Sequence, residues 1–285
     1  MPFSTYYTNI FPLKMVQQFL GAFYQPYSLE QVDFMVRSQE EQKQKEFVRR
    51  YEPWSKVSQL ILQQSEKIVS LGVGPVMTDL EIGGKRHLMK SGKETYLGKP
   101  LVLDIDIPPR ACCDPTGEHK RTCEKCWVTH IVPYYHYFRD FLSRHLPLKS
   151  RICGFFSGQR GLHFWVFHPS FLAFNKKEYV DLLTLLNYMR VLETQKRTHE
   201  DVAPDVHFDE DVTKQLNHCI RVPFSVHGDS GRAALPLVDK HLLDPVTIDQ
   251  YLTTYFDADW AGEDRKKELQ ELGAWIATLA KRVEY

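Results

Sequence analysis

RICGFFSGQRGLHFWVF, residues 151–167, reads as two extended apolar runs folded back on each other. Ser157, Gly158 and Gly161 permit a tight bend, and RICGFF and LHFWVF on either side carry the aromatic and branched residues of buried strands. The spacing predicts an antiparallel pair. The bend needs its glycines and the strand needs Leu162, Phe164 and Val166, yet neither requires Arg160 and His163 beside the turn. Ser157, the Gly158 and Gly161 amides, Arg160 and His163 are all donors, and donors gathered at a bend form a nest that accepts phosphate oxygens. A core histidine beside a surface arginine is the plainer account of the same residues.

The stretch LVLDIDIP, residues 101–108, predicts a third strand. Alternation places Leu101, Leu103, Ile105 and Ile107 on one face, Asp104 and Asp106 on the other. The two carboxylates then project together from Cα atoms about 6.6 Å apart at the usual strand rise, and at an effective dielectric near 20 two such charges repel by roughly 3 kcal/mol. A partly buried sheet would relieve that by protonation or by a cation such as Mg²⁺ or Mn²⁺. A strand end open to water would simply solvate both.

Elsewhere the pattern is coarser. Residues 6–70 read as mainly helical, with RSQEEQKQKEF and VSQLILQQSEKIV as solvated faces; contact with nucleic acid is the other reading of that charge run. Residues 71–108 read as strand-rich, and Lys85, Arg86, Lys90, Lys93 and Lys99 as exposed hairpin lysines that solvate an edge. VTHIVPYYHYFRDFLSRHL is a predicted helix interrupted or started by Pro133, and residues 176–199 form another with Leu182, Leu183, Leu185, Leu186 and Met189 towards a core. LNHCIRVPFSVHGDSGRAALPLV returns to short strands and turns. In the tail, Leu269, Leu272, Ile276, Leu279 and Val283 recur at helical spacing, for core packing or a docked partner.

Four of six cysteines, Cys112, Cys113, Cys123 and Cys126, crowd into fifteen residues, whereas a disulfide framework spreads its cysteines over the chain. They suit a closed tetrahedral zinc site of structural purpose, with His119 a substitute ligand; free buried thiols are the alternative. Lys plus Arg and Asp plus Glu number 36 each in 285 residues, so any polyanion site must be a local patch. No apolar run approaches the roughly 18 residues that cross a bilayer. The opening MPFSTYYTNIFPLK lacks the pattern of a secretory or transit leader, and a nuclear or cytoplasmic address without membrane attachment is expected.

YYTNIFP (6–12), LVLDID (101–106), CC…CEKCW (112–127), SGQRGLHFWV (157–166) and LNHCIRVPFSVHGDSGR with DPVTI (216–248) occur in the order and nearly the spacing of one family. The chain resembles the small catalytic subunit of eukaryotic-type DNA primase, in the archaeo-eukaryotic primase superfamily. The resemblance implies a mixed α/β fold: an RRM-like, largely antiparallel catalytic sheet, a second αβ unit and a zinc-binding loop at about 110–128, all in a single catalytic domain, 1–285. It implies RNA primer synthesis on single-stranded DNA by two-metal nucleotidyl transfer. Asp104, Asp106 and Asp209 would hold two Mg²⁺ or Mn²⁺ ions, Asp209 being preferred to Asp205 and Asp211 by its distance from NHCIRVPF. Ser157, Arg160, His163, Arg221 and His227, with Arg50 of RRYEPW, would bind the nucleoside triphosphate. Cys112, Cys113, Cys123 and Cys126 would hold structural Zn²⁺. The implied partners are the template, a large primase subunit and a replicative polymerase. Gln159 replaces a common arginine, Arg221 a usual lysine, and the zinc loop is longer between its cysteine pairs than the family pattern. Only about forty residues separate HFWVF from Asp209, so the family's helical insertion is much reduced. Two rival readings are a haloacid-dehalogenase-type phosphatase, which wants Thr or Val where Pro108 stands, and a non-catalytic zinc module binding nucleic acid.

Overall fold

The computed structural model describes residues 6–8, 11–39, 47–77, 96–107, 126–196, 206–210, 212, 215, 218–228 and 230–237. Its named strands are β1 (Val32–Gln39), β2 (Phe47–Glu52), β3 (Ile68–Met77), β4 (Tyr96–Gly98), β5 (Leu101–Asp106), β6 (Arg151–Phe156), β7 (Gly161–Phe167), β8 (Ile220–Arg221) and β9 (Leu235–Pro236). The helices are α1 (Leu13–Phe23), α2 (Trp54–Gln63), α3 (Val132–His145), α4 (Pro169–Leu172) and α5 (Lys176–Lys196). One sheet runs β2-β1-β3-β4, with β8 also on β3; the other runs β5-β7-β6-β9. Every strand pair in both is antiparallel.

The expected hairpin is β6–β7, in register from Arg151 opposite Phe167 to Phe156 opposite Leu162. Strand β7 is buried along its whole length because its sheet is covered on both faces. Leu103, Ile105, Phe156, Leu162 and Phe164 pack against Phe138, Phe141 and Leu142 of α3 and Tyr179, Leu183 and Leu186 of α5. On the other face, Val102, Phe155, Trp165 and Phe167 meet α1 and the apolar side of the first sheet, Val32, Phe34, Val36, Leu71 and Val73. Phe19 of α1 stands edge-on to Phe155, Trp165 and Phe167 at centroid distances of 5.4–5.6 Å. Strand β5 thus divides two cores, as its alternation requires. A buried strand carrying no polar face explains why His163 in β7 stands out.

The expected helix after the cysteines is a π turn at Trp127–Ile131 continuing into α3, with Pro133 at its start, where a missing N–H is harmless. The helical reading of residues 6–70 is corrected. Val32, Phe34 and Val36 are buried while Met35 and Arg37 are less so, a period of two, and VDFMVRSQ and FVRRYE pair as β1 and β2. The glutamines of the intervening segment resemble a helix face only when the alternation before them is overlooked. Lys99 is corrected too: it is buried, 3% exposed. Lys85, Arg86, Lys90, Lys93 and the apolar stripe of 269–283 lie outside the described residues. Among the described residues no helix is long and apolar enough to cross a membrane.

Candidate active site

The end of β5 brings its carboxylates against the bend between β6 and β7. Asp104 lies opposite His163 and Asp106 opposite Gly161. A Cβ on Gly161 would stand 2.8 Å from the Ile105 carbonyl and 3.1 Å from both Asp106 Oδ1 and Ser157 Oγ. The missing side chain leaves the space the Asp106 carboxylate occupies. On the other flank of β5, Phe208 bridges Ile105 and the Asp209 amide donates to the Asp104 carbonyl at 2.7 Å. A third carboxylate, remote in sequence, is thereby docked beside the first two.

Their charges conflict. Burial, then the neighbouring carboxylates of Asp106 and Asp209, push Asp104 up to about 8, against a smaller pull from Arg221. Asp106 is raised by burial and by Asp209, with Arg160 and Arg221 opposing. Asp104 Oδ1 is buried without a hydrogen-bond donor; His163 Nε2 is 3.5 Å away. Burial, helped by Arg221 and His227, holds His163 well below the usual histidine range, so its ring is neutral. Its Nδ1 is also buried without a partner. Burial therefore favours the protonated form of Asp104 beside a neutral imidazole, one of the two ways, a proton or a cation, in which the paired carboxylates could be relieved.

Among the described residues, no three His, Cys, Asp or Glu side chains converge as a formed metal cage. Asp209 Oδ1 instead faces its own segment, accepting from the Val212 amide at 3.4 Å. The donor set nevertheless suits a hard, oxygen-seeking divalent cation. An orphaned buried carboxylate oxygen with two more carboxylates raising its pKa is a place where such a cation removes a standing electrostatic penalty.

The bend is built by its own side chains. Ser157 donates its amide to the Gly161 carbonyl, and Ser157 Oγ accepts from the Gly161 amide, each at 2.9 Å. The Gly161 amide is thus engaged within the turn, a correction to its expected role as a phosphate donor. Gly158 has φ of +90°, and a Cβ there would lie 2.7 Å from the Arg232 carbonyl; glycine is required on both counts. A second turn closes over the first: Ser230 Oγ donates to the Gly158 carbonyl at 2.6 Å, and the His227 amide donates to the Arg232 carbonyl at 2.7 Å. Arg221, on β8 of the other sheet, donates through Nη1 to the Ser157 carbonyl. Ser157, Arg160, His163, Arg221 and His227 consequently gather around Asp104 and Asp106 where the two sheets meet.

The second turn is held under strain. Phe224 is buried at φ of +66°, a conformation costing a bulky residue about 1–3 kcal/mol. Tyr6 Oη donates to its carbonyl at 2.6 Å. Ser225 Oγ accepts from the Leu71 amide at 2.6 Å and shares a 3.0 Å hydrogen bond with Tyr7 Oη, which accepts from the Val226 amide at 3.2 Å. Tyr6, Tyr7, Ser225 and Ser230 had no role assigned from sequence. Their signal was polar hydroxyls inside otherwise apolar, motif-bearing stretches.

Arg50 lies on β2 opposite Val36, in the sheet that also carries β8 and Arg221. Of the zinc residues, Cys126 is buried and disulfide-bonded, while Cys112, Cys113, Cys123 and His119 lie outside the described residues, as do Asp205 and Asp211.

Residues 103–238 match the family pattern of the DNA primase small subunit. The chain is 28% identical over 185 residues to DNA primase small subunit PriS of Pyrobaculum calidifontis, covering 53% of this chain and 55% of the relative. It is 30% identical over 125 residues to the DNA primase small subunit of Caenorhabditis elegans, covering 42% of this chain and 28% of the relative. The chain thus spans about half the length of the archaeal relative. The polymerase domain from Mycobacterium tuberculosis ligase D, solved in complex with DNA, aligns over 92% of this chain and 91% of that one at 14% identity and a TM-score of 0.43; nothing about fold or function follows at that score. The segment holding both strand aspartates, both turns and Asp209 is the part of the chain that matches the DNA primase small subunit pattern.

Proposed function

We propose that the protein is a template-directed nucleotidyltransferase that joins ribonucleotides into a short primer on single-stranded DNA. The observation that carries this reading is the meeting of Asp104, Asp106 and Asp209 beside one strand, next to a glycine-shaped bend lined by Arg160, Arg221 and His163. Strands β5, β7 and β6, flanked by α3 and α5 and bridged by Phe208, are read as the RRM-type catalytic sheet.

In the reaction, the primer's 3′-hydroxyl oxygen bonds to the α-phosphorus of the incoming nucleotide. The bond from that phosphorus to the β-phosphate bridging oxygen breaks, pyrophosphate leaves, and the hydroxyl proton passes to water. Two Mg²⁺ or Mn²⁺ ions held by Asp104, Asp106 and Asp209 would supply activation of the hydroxyl and charge neutralisation at the triphosphate. Arg160 and Arg221 orient the phosphates and offset their charge. The neutral His163 donates one N–H to a phosphate oxygen without repelling the cation site, as an imidazolium would. Ser157 keeps its proton for donation while its lone pair holds the turn. Gly161 leaves the carboxylate of Asp106 room to face the ligand.

The four clustered cysteines are read as a structural zinc site of the reduced protein, since a disulfide-bonded Cys126 cannot ligate. A large subunit, a replicative polymerase and a nuclear or cytoplasmic setting accompany this reading, as does a single catalytic domain. The test is primer synthesis on bare single-stranded DNA with labelled ribonucleotides. Asp104→Ala, Asp106→Ala and Asp209→Ala proteins should each lose at least about a thousandfold in rate; undiminished synthesis in all three overturns the assignment.

A further inference from the structure

Lys99 precedes β5 by two residues and is not part of the carboxylate site. Its Nζ donates to the Val212 carbonyl at 2.9 Å and the Gln215 carbonyl at 3.2 Å. Among the described residues no carboxylate pairs with it. A buried ammonium is unfavourable unless its protons are hydrogen-bonded, so a fold that buries one against the Val212 and Gln215 carbonyls gains something from holding those residues. They follow Asp209 by three and six residues.

Both ends of the strut are fixed. The single hydroxyl proton of Tyr179 of α5 is shared between the Lys99 carbonyl and the Phe171 carbonyl, the latter at 2.7 Å. At the far end, the Asp209 segment is tied to α5 by Asn187 Nδ2 donating to Glu210 Oε1 at 3.3 Å and by Arg190 Nη2 lying 2.6 Å from His207 Nδ1. Its backbone touches β5 through Phe208 and the Asp209 amide. Lys99 is the link that runs from the start of β5, which bears Asp104 and Asp106, to the residues just after Asp209.

We infer that Lys99 is a positioning residue, whose ammonium strut sets the placement of Asp209 relative to the Asp104–Asp106 pair and thereby the affinity of the site for divalent cations. This rests on the metal-site reading of the three aspartates. Residues that orient ligating groups from behind commonly change metal affinity 10–100-fold when removed.

The test uses the full chain and Mn²⁺ alone, with bound ion followed by electron paramagnetic resonance. Lys99→Met keeps the length and apolar volume and removes the donors; Lys99→Arg keeps charge and donors; Asp209→Asn reports the site itself. Asp209→Asn and Lys99→Met should each weaken Mn²⁺ binding about 10–100-fold, with Lys99→Arg recovering part of the loss. In primer synthesis, Lys99→Met should raise the Mn²⁺ concentration for half-maximal rate by the same factor, while the nucleotide KM at saturating Mn²⁺ stays within about twofold. A purely structural lysine would lower the melting temperature and leave the Mn²⁺ isotherm unmoved, which overturns the inference. If Lys99→Met does not fold, Lys99→Gln, shorter and uncharged, is judged by the same isotherm. An unchanged isotherm in Asp209→Asn refutes the metal site and the Lys99 inference with it. Normal Mn²⁺ behaviour without any primer synthesis refutes only the proposed reaction.

Discussion

Replacing Asp104 by Asn should stabilise the cation-free protein, and by an amount that grows with pH. The folded protein holds the Asp104 proton up to about 8, against an ordinary 3.8; the unfolded chain releases it near the ordinary value. Between those limits the folded state binds the extra proton, so the contribution of Asp104 is full below about pH 4 and is lost as pH rises to about 8. At about 1.36 kcal/mol per tenfold change in proton affinity, the complete loss is on the order of 5 kcal/mol. Asn is nearly isosteric and has no charge to bury. Its advantage over Asp104 should therefore widen by about 3–4 kcal/mol between pH 5 and pH 8. Urea unfolding in chelator and reductant at pH 5, 6, 7 and 8 measures this directly. Saturating Mn²⁺ should narrow the gap, stabilising the native sequence by about 2.7 kcal/mol at a hundred times its Kd and leaving the variant little changed. A stability gap that does not move with pH would falsify the claim that Asp104 is a charge held in conflict.

Gly161→Ala places a methyl 2.8 Å from the Ile105 carbonyl and 3.1 Å from Asp106 Oδ1; calorimetry should show a loss of about 1–3 kcal/mol, with primer synthesis falling further than stability alone accounts for. His163→Gln should flatten the acid side of the stability profile. The unfolded histidine takes a proton below about 6.5 that the buried ring refuses, so its contribution is present above that pH and fades as pH falls, by up to about 1.36 kcal/mol per pH unit. Urea midpoints at pH 5, 6 and 7 that fall equally in both proteins would refute this. Tyr7→Phe removes the hydroxyl shared with Ser225 and Val226 and should cost about 1–3 kcal/mol in urea unfolding; a neutral substitution would show that the strained turn is held otherwise.

Strand β5 was legible from its alternation, β6 and β7 as apolar runs around a glycine-bearing bend and α3 from its helical spacing before Pro147; α5 was legible as a helix, but Leu185, expected towards the core, is exposed. Strands β1 and β2 were not legible, because the glutamine- and glutamate-rich link between them is as compatible with a helix face as with the ends of a hairpin. The Asp104–Asp106 pair was readable from alternation alone. Asp209 was not: residue type alone does not choose among Asp205, Asp209 and Asp211, only the family spacing back from NHCIRVPF singles it out, and the backbone hydrogen bond to Asp104 is a long-range fact. Lys99 misled for the same reason. A lysine near a strand reads as solvent-facing until Val212 and Gln215 are laid over it, and only then do their two carbonyls become its partners. Tyr6 and Tyr7 likewise acquire purpose only when Phe224 and Ser225, more than two hundred residues on, arrive beneath them.

The central claim is that three acidic side chains and one glycine-shaped bend make a single two-cation, triphosphate site. Crystals grown with Mn²⁺ and a non-hydrolysable nucleoside triphosphate, measured at the manganese absorption edge, test it most directly. The account predicts two anomalous peaks about 3.5–4 Å apart among Asp104, Asp106 and Asp209, with the phosphates on the turn of Ser157, Arg160 and His163. Manganese bound away from these carboxylates, or a triphosphate seated elsewhere while the site stays free of metal, would contradict it.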